Sequence, residues 1–445
     1  MSILCVDFGS TFTKAVVVRS DPASVVATAS VPTTWRGGST DVMDGYHQLR
    51  AQLRQAGVDD PKQVLACSSA GGGLRLAVVG YERSVTAEAG HRVGLSAGAK
   101  VVHVGSGPMG PADTDALRAS RPDIVLLVGG TDGGNAEVLL HNAARIAKAR
   151  LRAAVVVAGN TAAAGSVSDL LSQAGRNVEV SPNVLPQIGV VAPEGARAAI
   201  RAAFLRHVIG GKGLSRGPAF ASMVRAATPD AMLAGVEALA AGGAGDVLVV
   251  DVGGATTDVY SAIDPEGEDA GLAKEVVAPL WHARTVEADL GMRWNAAGIV
   301  LAAGGEGLCD ETELARLRAY ADRVDGEPAH VPLDAGEQAL DYALARLAAV
   351  VAVRRHARAP GPGQAPRPLQ NVAHLVGSGG VLRHVSPEAG RTLLAAVTAD
   401  HGGGWKVPRG AGLSVDTAYV LFAAGLVAGA DPEGAARIAA LALNA

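Results

Sequence analysis

Two short stretches of the sequence combine residue types that suit phosphate and metal chemistry. They are "VDFGSTFTKA", residues 6–15, and "VDVGGATTDV", residues 250–259. In each, an apolar run ends in an Asp and passes through a turn of Gly and small hydroxyl residues into a second apolar run. Glycine lets backbone N–H groups approach phosphate oxygens closely, and a carboxylate at a strand end can hold a hydrated Mg²⁺. The pattern predicts two hairpins that face each other and clamp a triphosphate.

The two stretches align without gaps, which indicates an internal duplication of one hairpin. Turn preferences of Gly and Asp would explain each turn alone, but not the constant offset or the Asp before each turn. We expect both Asp residues to position the metal largely through its bound water. Lys14 would supply compensating positive charge. The aligned pairs are Asp7 with Asp251, Gly9 with Gly253, Thr13 with Thr257 and Lys14 with Asp258.

A third glycine-rich turn, "LVGSGGVLRH" at 375–384, follows a strand-like run and precedes a helix-like one. Its glycines would allow a nucleoside or phosphate to lie against the backbone. On its own this is as well explained by a simple strand-to-helix turn. Its position after two hairpins makes an adenosine-binding role the better prediction.

The remaining pattern predicts a two-part α/β chain. The first residues alternate as three antiparallel strands, whereas from about residue 90 strands and helices alternate in the way typical of a parallel sheet. The opening pattern returns at 246. The predicted divisions are a first half at 1–90, an inserted α/β subdomain at 91–185, a helical continuation of the first half at 186–245, and a second half at 246–445.

In these three motifs the sequence resembles the superfamily of sugar kinases, Hsp70-type chaperones and actins, whose two like domains enclose ATP. The resemblance implies an actin-like (ribonuclease H-like) duplicated two-domain ATPase with ATP and Mg²⁺ as cofactors. The implied metal and catalytic carboxylates are Asp7 and Asp251. The implied nucleotide contacts are Gly9, Ser10, Thr11, Lys14, Gly253, Gly254, Thr256, Thr257, Asp258, Gly377, Ser378, Gly379 and Gly380.

Within that superfamily, nearly the whole chain resembles the accessory proteins of glutamate mutase, the L component family. The stretches that carry this resemblance include "LLVGGTDGGNAEVLLHNA" at 126–143, "PNVLPQIG" at 182–189, "RTVEADLGMR" at 284–293 and "VDTAYVLFAAGLVA" at 415–428. The resemblance implies an ATPase that assists or reactivates an adenosylcobalamin-dependent mutase, its client.

The stretch "RTVEADLGMR" allows two interpretations. In a helix, Arg284 could pair with Glu287 and Asp289 with Arg293, as ordinary surface ion pairs. Alternatively, Glu287 orients the water that attacks the γ-phosphate, and it is then a catalytic residue.

The sequence also allows two other binding sites and three other classes of protein. "GSGPMG" at 105–110 fits the dinucleotide motif, but Pro108 and Pro111 disturb its geometry. The loop "VGGTDGGN" at 128–135 could bind a ligand through Asp132 and Asn135 or be a capped turn. A small-molecule kinase, an activator of a radical dehydratase and an actin-type filament are the rival classes.

Composition excludes several partners. With a net charge of −4 and no clustered basic face, the chain is not expected to bind nucleic acid. An apolar run long enough to span a bilayer is missing, and the first strand begins too early for a signal peptide, so we expect a cytoplasmic protein without membrane contact. The oligomeric state is not indicated.

Overall fold

The computed structural model describes residues 2–35, 40–70, 74–83, 85–97, 99–209, 213–263, 282–327, 330–359, 366–400 and 407–444. In these residues the strands form three sheets of five strands each. Most strands are rich in Val, Ile and Ala, as expected where both faces of a sheet are covered. The strands are β1 Ser2–Phe8, β2 Phe12–Ser20, β3 Ala23–Pro32, β4 Gln63–Ser68, β5 Arg75–Gly80, β6 Lys100–Ser106, β7 Ile124–Leu127, β8 Ala154–Val157, β9 Val178–Val180, β10 Val224–Ala227, β11 Val247–Val252, β12 Thr257–Ala262, β13 Ala283–Glu287, β14 His374–Ser378 and β15 Gly412–Val415.

Several helices begin at an Asp or Ser whose side chain accepts a backbone N–H of the first turn, which satisfies a donor that the helix leaves free. Asp41, Asp310, Asp334, Ser386 and Asp431 act in this way. The α-helices are α1 Val42–Gln55, α2 Thr86–Ser96, α3 Pro111–Ala119, α4 Glu137–Lys148, α5 Thr161–Gln173, α6 Pro193–Ala203, α7 Pro218–Met223, α8 Thr228–Leu239, α9 Ala296–Gly305, α10 Glu311–Val324, α11 Ala335–Ala357, α12 Gly380–His384, α13 Pro387–Thr398, α14 Leu421–Ala428 and α15 Pro432–Ala439.

The first two sheets repeat one topology. The strand order β3-β2-β1-β4-β10 of one matches β13-β12-β11-β14-β15 of the other, and in both the central hairpin is antiparallel while the later strands are parallel. Asp7 lies opposite Lys14, just as Asp251 lies opposite Asp258. The predicted duplicated α/β fold is therefore confirmed, with equivalent registers in both halves.

The third sheet is wholly parallel, in the order β6-β5-β7-β8-β9. Its first strand begins at Arg75, whereas the sequence placed the start of the inserted subdomain at 91. The chain returns to the first sheet with β10 at Val224–Ala227. The runs of β7 and β8 are fully buried because helices cover both faces of this sheet.

Helices α8 and α14 lie between the two duplicated sheets and join their cores. On β1, Ile3 and Cys5 face these helices, while Leu4 and Val6 face the outer core of the first half. The backbones of the two helices are in direct contact at Gly425 and Ala231. A methyl group built on Gly425 would lie 1.8 Å from the carbonyl oxygen of Ala231.

We predict that Gly425→Ala lowers the free energy of unfolding by about 3 kcal/mol, since the added methyl group forces the helices apart. Urea denaturation measures the effect. Gly429 is the control: it ends the same helix with helical backbone angles and has no atom within 4 Å of an added methyl group. Equal stability of the Gly425→Ala and Gly429→Ala variants would contradict this account of the packing.

Candidate functional site

The two predicted phosphate turns have the same backbone geometry. The Gly9 N–H donates to the carbonyl of Phe12 at 3.1 Å, and the Gly253 N–H donates to that of Thr256 at 2.9 Å. A methyl group built on Gly9 would lie 2.6 Å from the Phe12 oxygen, and one on Gly253 would lie 2.8 Å from the Thr256 oxygen. Glycine is therefore required at both positions by close approach of the backbone.

The turns also approach each other across the space between the halves. A methyl group built on Gly254 would lie 4.0 Å from the Thr11 hydroxyl oxygen. Ser10 is exposed and Thr11 half-buried, so both remain accessible to a ligand. The structure thus brings the two halves of the predicted phosphate site together.

Asp7 is 1% exposed, and its carboxylate is surrounded by donors. The hydroxyl of Thr228 donates to it at 2.5 Å, the hydroxyl of Tyr419 at 3.2 Å and the thiol of Cys67 at 3.5 Å. The Lys14 ammonium lies 3.9 Å away. Two carboxylate oxygens offer about four lone-pair positions, so Asp7 has little capacity left for a direct metal bond.

Asp251, the equivalent carboxylate, is in a different state. Among the residues the structure describes, it has no hydrogen bond or ion pair. Burial raises its pKa to about 6; the positive charge of Lys14 opposes this rise, and the carboxylates of Asp258 and Asp7 add to it. A carboxylate with open lone pairs and a raised pKa is typical of a functional position.

Other side chains of the second turn already have protein partners. Thr257 donates to the carbonyl of Leu290 at 2.6 Å, and Thr256 donates to Asp258 at 2.9 Å. The Arg284 guanidinium lies 2.7 Å from Asp258 in a buried ion pair. These contacts hold the turn in shape. The nucleotide contacts proposed for the three turn residues stay predictions.

The helical ion pairs expected for "RTVEADLGMR" are wrong. Arg284 and Glu287 lie in strand β13, where residues three apart do not share a face. Arg284 pairs with Asp258 instead. Its Cα partner on the neighbouring strand is Tyr260, two residues from Asp258, so the pair is a diagonal cross-strand contact.

Arg293 pairs with Asp341 rather than Asp289, through two hydrogen bonds of 2.7 and 3.1 Å. Glu287 accepts from Arg355 at 2.8 Å. Burial raises the pKa of Glu287, against the opposing effect of Arg355. Its catalytic role stays a prediction.

The segment after β13 packs directly against the second phosphate turn. The Met292 N–H donates to the Gly253 carbonyl at 3.0 Å, and the Arg293 N–H donates to the Gly254 carbonyl at 2.8 Å. A methyl group on Gly291 would lie 2.4 Å from the carbonyl oxygen of Ala255. This segment therefore supports the turn, a role that the sequence did not reveal.

The predicted adenosine motif lies beside the second turn, since Ser378 is the Cα partner of Asp251. Gly379 has φ +99°, and a methyl group built on it would lie 2.1 Å from the Val252 carbonyl oxygen. Gly377 packs against Leu side chains, whereas Gly380 is exposed with open space around it. The Ser378 hydroxyl is buried without a hydrogen-bond partner in the described residues.

Three residues of the site were missed by sequence reasoning: Thr228, Tyr419 and Arg383. Tyr419 has φ +56°, a backbone conformation that bulky residues rarely adopt. The Lys14 nitrogen lies 4.2 Å from the centroid of its ring, and the central carbon of the Arg383 guanidinium 5.0 Å from it. The stretch "VDTAYV" carries the family resemblance, but it contains no local signal that marks Tyr419.

The "VGGTDGGN" loop is held by two buried asparagines. Asn160 accepts from the Gly133 N–H and donates to the Gly134 carbonyl, and Asn183 donates to Gly130 and to Asp132. The Asn135 side chain accepts from the Glu137 N–H at the start of α4. These contacts agree with the capped-turn interpretation.

The duplicated sheets, whose glycine turns face each other across the space between the halves (the cleft), define the class: a two-half α/β protein with a duplicated core sheet. The chain belongs to the MutL protein family, the glutamate mutase L component, whose model matches residues 3–443. Protein MutL of Clostridium tetanomorphum is 35% identical, and the alignment covers 98% of this chain and 97% of that protein. The family assignment made from the sequence is confirmed.

Solved structures with detectable similarity include nucleotide-free acetone carboxylase, with a TM-score of 0.40 and 14% identity over 96% of this chain and 70% of that one. Glycerol dehydratase reactivase has a TM-score of 0.33 and 13% identity over 96% and 99% of the two chains.

Among the described residues, no helix is both long and apolar enough to cross a membrane.

We predict that Asp251→Asn stabilises the ligand-free protein by about 2 kcal/mol at pH 7.5. The folded carboxyl, with a pKa of about 6 against an ordinary 3.8, binds its proton more tightly than the unfolded chain does. Stability should therefore fall as pH rises from about 4 to 6, and the neutral amide removes this loss. The gain of the variant should disappear near pH 4.

Urea denaturation at the two pH values measures the difference. Asp60→Asn is the matched control, because that exposed carboxylate lies between Arg50 and Arg54 and its removal should bring no gain. An Asp251→Asn variant less stable than the parent at pH 7.5 would show that the charged carboxylate is stabilised by its surroundings.

Proposed function

We propose that this protein binds and hydrolyses ATP and uses the cycle to reactivate an adenosylcobalamin-dependent mutase, of which glutamate mutase is the expected client. The observation that carries the nucleotide proposal is the pair of glycine turns that share one backbone hydrogen bond, occupy equivalent positions of the two halves and face each other. Membership of the MutL family supports the choice of client.

Backbone N–H groups and accessible hydroxyls of the two turns would bind the phosphates. Ser10 and Thr11 supply hydroxyls from the first half, and Gly253 to Thr256 supply the turn of the second. Lys14 adds a positive charge at 24% side-chain exposure. Phosphoryl transfer depends chiefly on positioning and charge stabilisation, which such a set provides.

The carboxylates fit a Mg²⁺ ion held mainly by water and phosphate. The described residues contain no cluster of three or more His, Cys, Asp or Glu side chains able to enclose a metal. Mg²⁺ ordinarily keeps several waters and binds one or two carboxylates together with substrate phosphates. Asp251 has free lone pairs for this purpose, whereas Asp7, with its donors already in place, would act through a metal-bound water. Bound Mg²⁺ would neutralise charge on the phosphates.

Glu287 is the candidate for orienting the attacking water. It ends strand β13, opposite Thr257 of the second turn, and Arg355 holds its carboxylate. Burial raises its pKa, while the hydrogen bond and charge of Arg355 oppose this rise.

The same site is linked to the helices that join the halves. Thr228, which donates to Asp7, is the first residue of α8, and Tyr419, which also donates to Asp7, lies two residues before α14. A change at Asp7 on nucleotide binding would therefore act on both helices at their ends. We propose that different nucleotides favour different angles between the halves, and that the client is gripped or released accordingly.

The proposal predicts recovery of a glutamate mutase that has been inactivated during turnover. Added protein with Mg·ATP and fresh adenosylcobalamin should restore mutase activity, while omission of ATP or chelation of Mg²⁺ should prevent recovery. Asp251→Asn is the control variant, because it removes the free carboxylate yet is expected to fold at least as stably. Recovery by this variant, or in the absence of ATP, would contradict the proposal.

A further inference from the structure

Arg383 places a second positive charge at the cleft. It comes from the second half of the chain, whereas Lys14 comes from the first. Lys14 belongs to β2 of the first half, and Arg383 to α12, which follows the adenosine motif of the second half. Their charges lie 4.2 and 5.0 Å from the same ring centroid, that of Tyr419, so they are at most about 9 Å apart. In the ligand-free protein the carboxylates of Asp7, Asp251 and Asp416 offset these two positive charges.

Most of the hydrogen-bonding capacity of Arg383 is unused. Its Nε donates to the carbonyl of Thr417 at 3.2 Å, and in the described residues no carboxylate lies within ion-pair distance of the guanidinium. Arginine carries five N–H donors in a planar fork that matches phosphate oxygens. The side chain is half-buried, and in the described part of the chain its four terminal N–H donors have no hydrogen-bond partner.

The charges around the cleft favour a polyanion once the metal is bound. Lys14 and Arg383 both act on Asp251, since each lowers its pKa against the effect of burial. A bound Mg²⁺ would offset the carboxylates of Asp7 and Asp251. The positive charges of Lys14 and Arg383 would then be left to face the triphosphate, one from each half.

We propose that Arg383 binds the phosphate tail of the nucleotide and is the second-half counterpart of Lys14. Before nucleotide binds, the ring of Tyr419 contacts both cations, and its hydroxyl donates a hydrogen bond to Asp7. This inference rests on the proposed nucleotide-binding function and names a residue that none of the three sequence motifs included.

The test compares ligands that differ in phosphate number, bound to the isolated chain with Mg²⁺ and followed by calorimetry. Arg383→Gln should weaken ATP binding at least about tenfold, since charge-assisted hydrogen bonds to a phosphate are lost. ADP should be affected less, and adenosine less than about twofold. Arg383→Lys should recover part of the ATP affinity because a point charge remains.

Arg391→Gln is the matched control, an exposed arginine on the neighbouring helix α13. It should leave all three affinities unchanged, and thermal unfolding should show that Arg383→Gln folds like the parent. Equal loss for adenosine and ATP would mean that Arg383 only shapes the site, and unchanged ATP affinity would exclude a phosphate contact; either result overturns the inference. A parent protein that binds no nucleotide would instead contradict the proposed function itself, and with it this inference.

Discussion

The buried carboxylate of Asp7 connects parts of the chain that are far apart in sequence. Its donors come from the sheet neighbour β4 through Cys67, from the start of α8 through Thr228, and from the segment before α14 through Tyr419. A buried carboxylate deprived of its donors costs several kcal/mol, so these contacts fix both central helices relative to the first phosphate turn. Asp7 thus links the first glycine turn to the starts of both central helices.

The two halves share one sheet topology but differ in the charged residues around their glycine turns. The position opposite the turn carboxylate is Lys14 in the first half and Asp258 in the second. Asp258 is neutralised by the buried Arg284, whereas Lys14 remains partly exposed at the cleft. Similarly, Asp7 accepts from three side-chain donors, whereas Asp251 has none among the residues that the structure describes. The turn carboxylate of the first half, Asp7, is therefore held by protein donors. That of the second half, Asp251, is left for a ligand in the proposed site.

The sequence predicted those features that depend on local pattern. The hairpins of both halves could be recognised because an apolar strand, an Asp and a glycine turn follow one another within ten residues. Thr228 and Tyr419 could not, because their contacts with Asp7 span 221 and 412 positions and no local pattern encodes them. The charged residues of 284–293 suggested helical pairs, but Arg284 found its partner diagonally across two strands. The spacing of charged residues alone does not distinguish a helix from a short charged strand.

The central claim is that one nucleotide is held by both glycine turns at once. Gly9→Ala and Gly253→Ala are a matched pair for testing it, because each added methyl group meets the carbonyl oxygen three residues ahead in its own turn. Calorimetric titration with Mg·ATP should give one site per chain, and each variant should weaken binding at least about tenfold. Two sites per chain, or full affinity in either variant, would contradict a shared site.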